Sequence, residues 1–255
     1  MKPTDLIVGF NPQEEKRIRT HLNKLLPYFK KDEFAIVGGI PIRYFAAIKG
    51  VKVPKRSFND IDMVASNVTT INPKVAKEFL VSHYHYNPNL PKNESNFYVV
   101  LVDPESKTKV DIFDEKNQQY VAAKRVKVKF AGIPVYVESL EDQLVVSVKE
   151  AYRVVTKNFT EEPKKIEDIE LMLRIADLEL AQSYWKKADF ENHPKTLIEA
   201  FNATKKKLKE NPELLVERKY RKRKPYQCEG CEESKNANFP VTKMEKVYKT
   251  LGYIE

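Results

Sequence analysis

Cysteine is nearly missing from these 255 residues: Cys228 and Cys231 are the only two. Two thiols cannot build a disulfide framework, which points to a reducing compartment. Long uncharged apolar runs are missing too, so no transmembrane helix is expected. The first apolar stretch, Leu6 to Val8, is too short for a signal peptide. Internal repeats and low-complexity tracts are also absent. What is present, 42% hydrophobic and 11% aromatic residues, is the composition of a soluble globular protein, with the cytoplasm as its expected location and no membrane partner.

Charge is unevenly spread. Lys205 to Lys224 holds ten Lys or Arg against three Glu, a net +7 of the chain's +9. Such a run either holds a polyanion such as RNA, because phosphate contacts add without a sequence code, or is a solvated helix face followed by a basic loop.

Apolar periodicity divides the chain at residue 138. Asn11 to Phe29 spaces Ile18, Leu22, Leu25 and Leu26 as an amphipathic helix opened by Pro12. Phe34 to Val37 is a short apolar strand stopped by Gly38-Gly39, and Pro41 to Lys49 has helical character. Asp60-Ile61-Asp62-Met63 alternates as a strand with one charged face, and Pro73 to Tyr84 fits another helix. Asn96 to Val102 and Lys109 to Phe113 read as a hairpin, and Lys124 to Phe130 and Ile133 to Val137 as a second strand pair. From Ser139 the pattern is helical: a capped helix to about Val155, one long helix over Ile166 to Trp185, another over Pro194 to Leu208, and a short one over Thr242 to Leu251. The expected class is α+β, a mixed sheet flanked by helices in residues 1–138 and a mainly helical domain in residues 139–255.

Side chains alternate along a strand, so Asp60 and Asp62 emerge on one face about 6 to 7 Å apart. Two carboxylates so close repel unless a cation sits between them, and hard ions such as Mg²⁺ or Mn²⁺ take carboxylate and phosphate oxygens in this setting. Asp111, flanked by Val110 and Ile112, is the candidate third acid; Asp103 lies at an Asp-Pro turn and Asp114 at a strand end. Backbone amides of a Gly-Gly turn opening a helix can approach a triphosphate where a Cβ would obstruct it.

In this order, strand, Gly38-Gly39, helix, Asp60-x-Asp62 and the strand around Asp111 resemble the signature of the DNA polymerase β-like nucleotidyltransferase superfamily. The resemblance spans roughly residues 34 to 175. It implies that Gly38 and Gly39 bind the triphosphate of an NTP such as ATP, that Asp60, Asp62 and Asp111 bind metal, and that the third acid is the base toward the acceptor hydroxyl. Val37-Gly38-Gly39 with Arg56-Ser57-Phe58-Asn59-Asp60-Ile61-Asp62 looks most like the abortive-infection type, whose members include toxins of toxin–antitoxin pairs. That implies an antitoxin partner, and puts Arg56 and Ser57 beside the nucleotide. The interval from Gly39 to Asp60 is longer than usual in the family, which implies an insertion near Lys49 to Lys55. Lys149 stands about two residues beyond the family's helix lysine, and Lys165 stands where an acid is common.

The expected function is therefore Mg²⁺-dependent transfer of a nucleoside monophosphate from an NTP to a hydroxyl of RNA or tRNA, of a small antibiotic, or of a protein side chain. The alternative from another class is a non-catalytic NTP-binding or interaction module, against which stands the cost of an idle acid cluster. Cys228 and Cys231 have zinc-knuckle spacing, but one pair cannot close a tetrahedral site; incidental thiols are expected, with a dimer-shared zinc or a redox pair as alternatives. His83 and His85 read as a helix-end cluster rather than paired ligands.

Overall fold

The expected α+β class is the one observed. A computed structural model describes residues 9–28, 34–53, 60–65, 75, 78–85, 98–103, 106, 108–114, 125–130, 132–188 and 194–217. These divide into two compact units, the first within Met1–Ile40 and Lys55–Val137, the second within Pro41–Pro54 and Glu138–Tyr220.

The first unit opens on helix α1 (Pro12–Leu25). Its start is fixed by a capping box: the Asn11 carboxamide accepts from the amides of Gln13 and Glu14, and the Glu14 carboxylate accepts from the Asn11 amide. Ile18, Leu22 and Leu25 recur at helical spacing and are fully buried. The strands are β1 (Phe34–Val37), β2 (Asp60–Ala65), β3 (Leu80–His85), β4 (Tyr98–Val102), β5 (Lys109–Asp114), β6 (Arg125–Phe130) and β7 (Ile133–Glu138). They form a mixed sheet in the order β3-β4-β5-β2-β1-β7-β6. β1 pairs antiparallel with β2 and parallel with β7, while β2 runs parallel to β5.

Register sorts the residues onto two faces. Ile36, Met63, Ile112 and Val137 share one face, joined by Ile61 and Val110, and all six are fully buried. Each such side chain contributes roughly 1.5–3 kcal/mol on leaving water, so this apolar face fixes the register of the whole sheet. A one-residue slip would bury the acids instead. The other face carries Val37, Asp62 and Asp111 in one row and Ala35, Val64 and Phe113 in the next, with Tyr136 packed beside the second row.

One expected helix is in part a strand. Leu80 to Tyr84 belong to β3, which pairs antiparallel with β4 across a bulge near Ser82. Val, Ser, His and Tyr are weak helix formers, and the open edge of β4 offers them backbone partners. His83 and His85 thus lie on a strand, not at a helix end.

Helix α2 (Gly39–Ile48) starts in the first unit and from Pro41 belongs to the second. Then follow α3 (Leu140–Thr156), α4 (Pro163–Ile175), α5 (Leu178–Trp185) and α6 (Leu197–Glu210). Ser139 caps α3 by accepting from the Asp142 amide, and Thr196 with Glu199 forms a capping box on α6. Ile42, Ala46, Leu144, Val148, Ile169, Met172, Trp185 and Phe201 share one core. The single helix expected over Ile166 to Trp185 is broken. Ala176 is extended, and the Asp177 side chain accepts from the Leu180 amide to start a new helix, while the Asp177 amide donates to Glu141. The apolar period runs on across the break, but the local cap wins. The helix expected over Thr242 to Leu251 lies outside the described residues.

Candidate active site

Three neighbouring strands build the site. Gly38 ends β1 with φ +72°, in the left-handed region where a side chain is penalised. A Cβ at Gly38 would lie 2.8 Å from Oδ2 of Asp62, so the Asp62 carboxylate rests against this turn. Gly39, the first residue of α2, has open space where its side chain would be. The structural demand for glycine therefore falls on Gly38, and Gly39 leaves room beside the turn.

Asp62 pairs in register with Val37 on one side and with Asp111 on the other, so Asp62 and Asp111 stand on adjacent parallel strands, about 4.8 Å apart along the ladder. Asp60 lies one pleat along, opposite Lys109. Asp60 and Asp62 are half-buried, whereas Asp111 is buried. Burial pushes the Asp111 carboxyl above its ordinary range; Lys109 pulls it back, and the charge of Asp60 pushes it further up.

Lys109 was not foreseen. Its ammonium donates to Asp111 Oδ2 at 2.5 Å, while Oδ1 of Asp111 is buried with no hydrogen-bond partner among the described residues. A carboxylate oxygen held dry and unpartnered beside another acid suits a cation, and in this respect the residues fit a divalent metal. In the conformation seen, however, no three His, Cys, Asp or Glu side chains among the described residues converge as ligands of one ion. Lys109 supplies the positive charge at Asp111. The signal lay in the sequence: Lys109 and Asp111 sit two apart on one strand and must share a face.

Asp103, a rival third acid, is committed elsewhere. It accepts from the Lys24 ammonium at 2.8 Å and from the Ser106 hydroxyl and amide at 2.6 and 3.1 Å. Burial alone would raise its carboxyl, but these donors outweigh burial and hold it at about 2. His21, fully buried 3.6 Å from Asp103, donates through Nδ1 to the Arg17 carbonyl, and burial lowers its pKa. Asp114 pairs with Ala65 at the far end of β5. Arg56, Ser57, Cys228, Cys231 and the basic stretch from residue 218 onward lie outside the described residues. Of the described basic residues on α6, Lys205 pairs with Glu170 at 2.6 Å and Lys206 lies 3.9 Å from Glu210.

A second cationic feature was also missed. β6 is one of the two edges of the sheet formed by the described strands, and Arg125, Lys127 and Lys129 alternate along it with Val126, Val128 and Phe130. Phe130 is buried like Val135 and Val137 of the adjoining β7, and only two residues connect the strands, so the buried sets share a face. The three cations then fall on the face of Tyr136, Asp62 and Asp111.

No family model and no curated protein matches the chain. Among solved structures it is similar to an antigenic nucleotidyltransferase-like protein from Paracoccidioides brasiliensis, with 17% identity over 80% of this chain and 92% of that one and a TM-score of 0.44. It is also similar to the antibiotic-resistance factor ANT(2'')-Ia, with 15% identity over 80% and 99% of the two chains and a TM-score of 0.43. A likeness of that depth decides nothing about chemistry, which rests on the chain's own residues.

Proposed function

We propose that this chain is a nucleotidyltransferase of the polymerase β-like kind, with residues 1–138 as its catalytic domain and residues 139–255 as a helical domain. The observation that carries the reading is the parallel register of Asp62 with Asp111, with Gly38 turned against Asp62. Asp60, Asp62 and Asp111 are the residues that would hold Mg²⁺ or Mn²⁺, which when bound neutralises phosphate charge and lowers the barrier to in-line displacement. The turn at Gly38 and Gly39, with open space where a Gly39 side chain would stand, would take the triphosphate, and Arg56 and Ser57 join them by the family resemblance.

The acceptor hydroxyl oxygen bonds to the α-phosphorus as the bond from that phosphorus to the β-bridging oxygen breaks. Pyrophosphate leaves with the electron pair, and the hydroxyl proton passes to Asp111. Burial and the charge of Asp60 make Asp111 a better proton acceptor than a solvated aspartate.

The acceptor we favour is RNA, as in toxin-type members, where an antitoxin partner is also expected. Lys127 and Lys129 are exposed, stand about 6.6 Å apart along the edge strand on the acid-bearing face, and suit successive phosphates. The test is incubation of the full chain with each α-labelled NTP, Mg²⁺ and cell RNA. Label should reach RNA with wild type and not with Asp62→Ala; equal labelling by both overturns the metal assignment. Charge reversal at Lys127 and Lys129 should weaken RNA binding and flatten its salt dependence, and an unchanged salt slope removes RNA in favour of a small hydroxylated acceptor.

A further inference from the structure

The proposed site already contains a cation of its own. Lys109 sits opposite Asp60 and reaches Asp111, so one ammonium stands among three acids on a single face. Its side chain is 31% exposed whereas that of Asp111 is 8% exposed, so the lysine approaches from the wet side onto a carboxylate that burial has stripped of most of its water. Without it, the buried Asp111 carboxylate would lose the ammonium that offsets both its burial and the nearby charge of Asp60. Lys109 is on Oδ2 and the Asp62 carboxylate is turned against Gly38, and no three acids among the described residues converge on one point.

We propose that Lys109 is a built-in counterion that holds Asp111 in the metal-free protein and gives up its place when a divalent cation arrives. This rests on the reading of Asp60, Asp62 and Asp111 as metal ligands. Lys109 is then a positioning residue. It keeps the folded chain stable without metal, and it sets the metal affinity, because every ion bound must first displace an ammonium from the most buried acid. Swinging outward is cheap for a long, partly exposed side chain, since its charge returns to water. The arrangement also ties occupancy to supply: at low metal the site is closed by an internal salt bridge, and at high metal it opens to ligands.

The test uses the full chain as wild type, Lys109→Met and Lys109→Arg, titrated with Mn²⁺ while free ion is followed by electron paramagnetic resonance, alongside melting curves with and without the ion. Solvent screening trims the pair's gross attraction, so a change of about tenfold is expected. Lys109→Met should bind Mn²⁺ about tenfold more tightly than wild type, melt at a lower temperature without metal, and gain more from its addition. Lys109→Arg, which keeps the charge, should stay near wild type in both respects and shows that loss of the cation, not of packing, is responsible. Mn²⁺ bound by wild type and by Lys109→Met with equal affinity, or more weakly by the variant, overturns the counterion role while leaving the metal site standing. Failure of wild type and both variants to bind Mn²⁺ overturns the metal reading itself.

Discussion

Replacing Gly38 by Ala separates the two jobs of the glycine turn. The residue has φ +72°, where an L side chain costs roughly 1–2 kcal/mol. The new Cβ would also stand 2.8 Å from Oδ2 of Asp62, closer than van der Waals contact allows. The atom it meets is the tip of a side chain, so the carboxylate rotates away and adds little to the cost. Stability should therefore drop by about 1–2 kcal/mol, which for a chain of this length lowers the melting temperature by roughly 2 to 8 °C. Activity should suffer far more, because displacing a reacting group by about 1 Å can cost on the order of a hundredfold. The assay pairs a thermal melt with the initial rate of label transfer under saturating NTP. Gly39→Ala is the control: nothing lies within 4 Å of its Cβ and the residue opens a helix, so melting should be unchanged or slightly raised. If Gly38→Ala melted as expected but kept its wild-type rate, the contact between the turn and Asp62 would have no part in catalysis.

Further outcomes follow from the same geometry. Asp111→Asn should abolish transfer, by about a thousandfold or more, without lowering the melting temperature, because burial disfavours the charge it removes; a large loss of stability would mean Asp111 is structural. Asp103 behaves oppositely. Its carboxyl is held at about 2 in the fold against an ordinary 3.8, so the Lys24 and Ser106 contacts add stability that is fully present above about pH 5 and is lost as pH falls through 2. Urea melts from pH 6 to pH 2 should show the advantage of wild type over Asp103→Asn shrinking by about 2 kcal/mol, and a pH-independent gap would contradict the assignment. Asp177→Ala removes the cap that splits α4 from α5 and should cost about 1 kcal/mol in a thermal melt, with transfer unaffected.

Much of this was legible in the residues, for identifiable reasons. Phe34 to Val37 ends on two glycines, and Asp60 to Met63 alternates with period two, so strand, turn and acid face follow from local pattern alone. Ser139 and the acids behind it mark a helix start in the same way. What local pattern cannot carry is which strands become neighbours. Val37, Asp62 and Asp111 share a row only because β1 pairs with β2 and β2 with β5, and the value of Lys109 emerges once Asp60 is known to lie opposite it. The misread helix at Leu80 to Tyr84 has the same origin: the edge of β4 supplies backbone partners that outweigh weak local preference. The break at Ala176 failed for the opposite reason, a single Asp177 cap acting against an uninterrupted apolar period.

The central claim, that Asp62 and Asp111 jointly hold a divalent ion facing the turn at Gly38, is met most directly by anomalous scattering from crystals of the full chain grown with Mn²⁺ and a non-hydrolysable NTP. The account expects a manganese peak within bonding distance of both carboxylates, with the triphosphate beside Gly38 and Gly39 and the Lys109 ammonium moved off Asp111. A nucleotide bound elsewhere, or a peak that touches neither carboxylate while Lys109 stays in place, would contradict it.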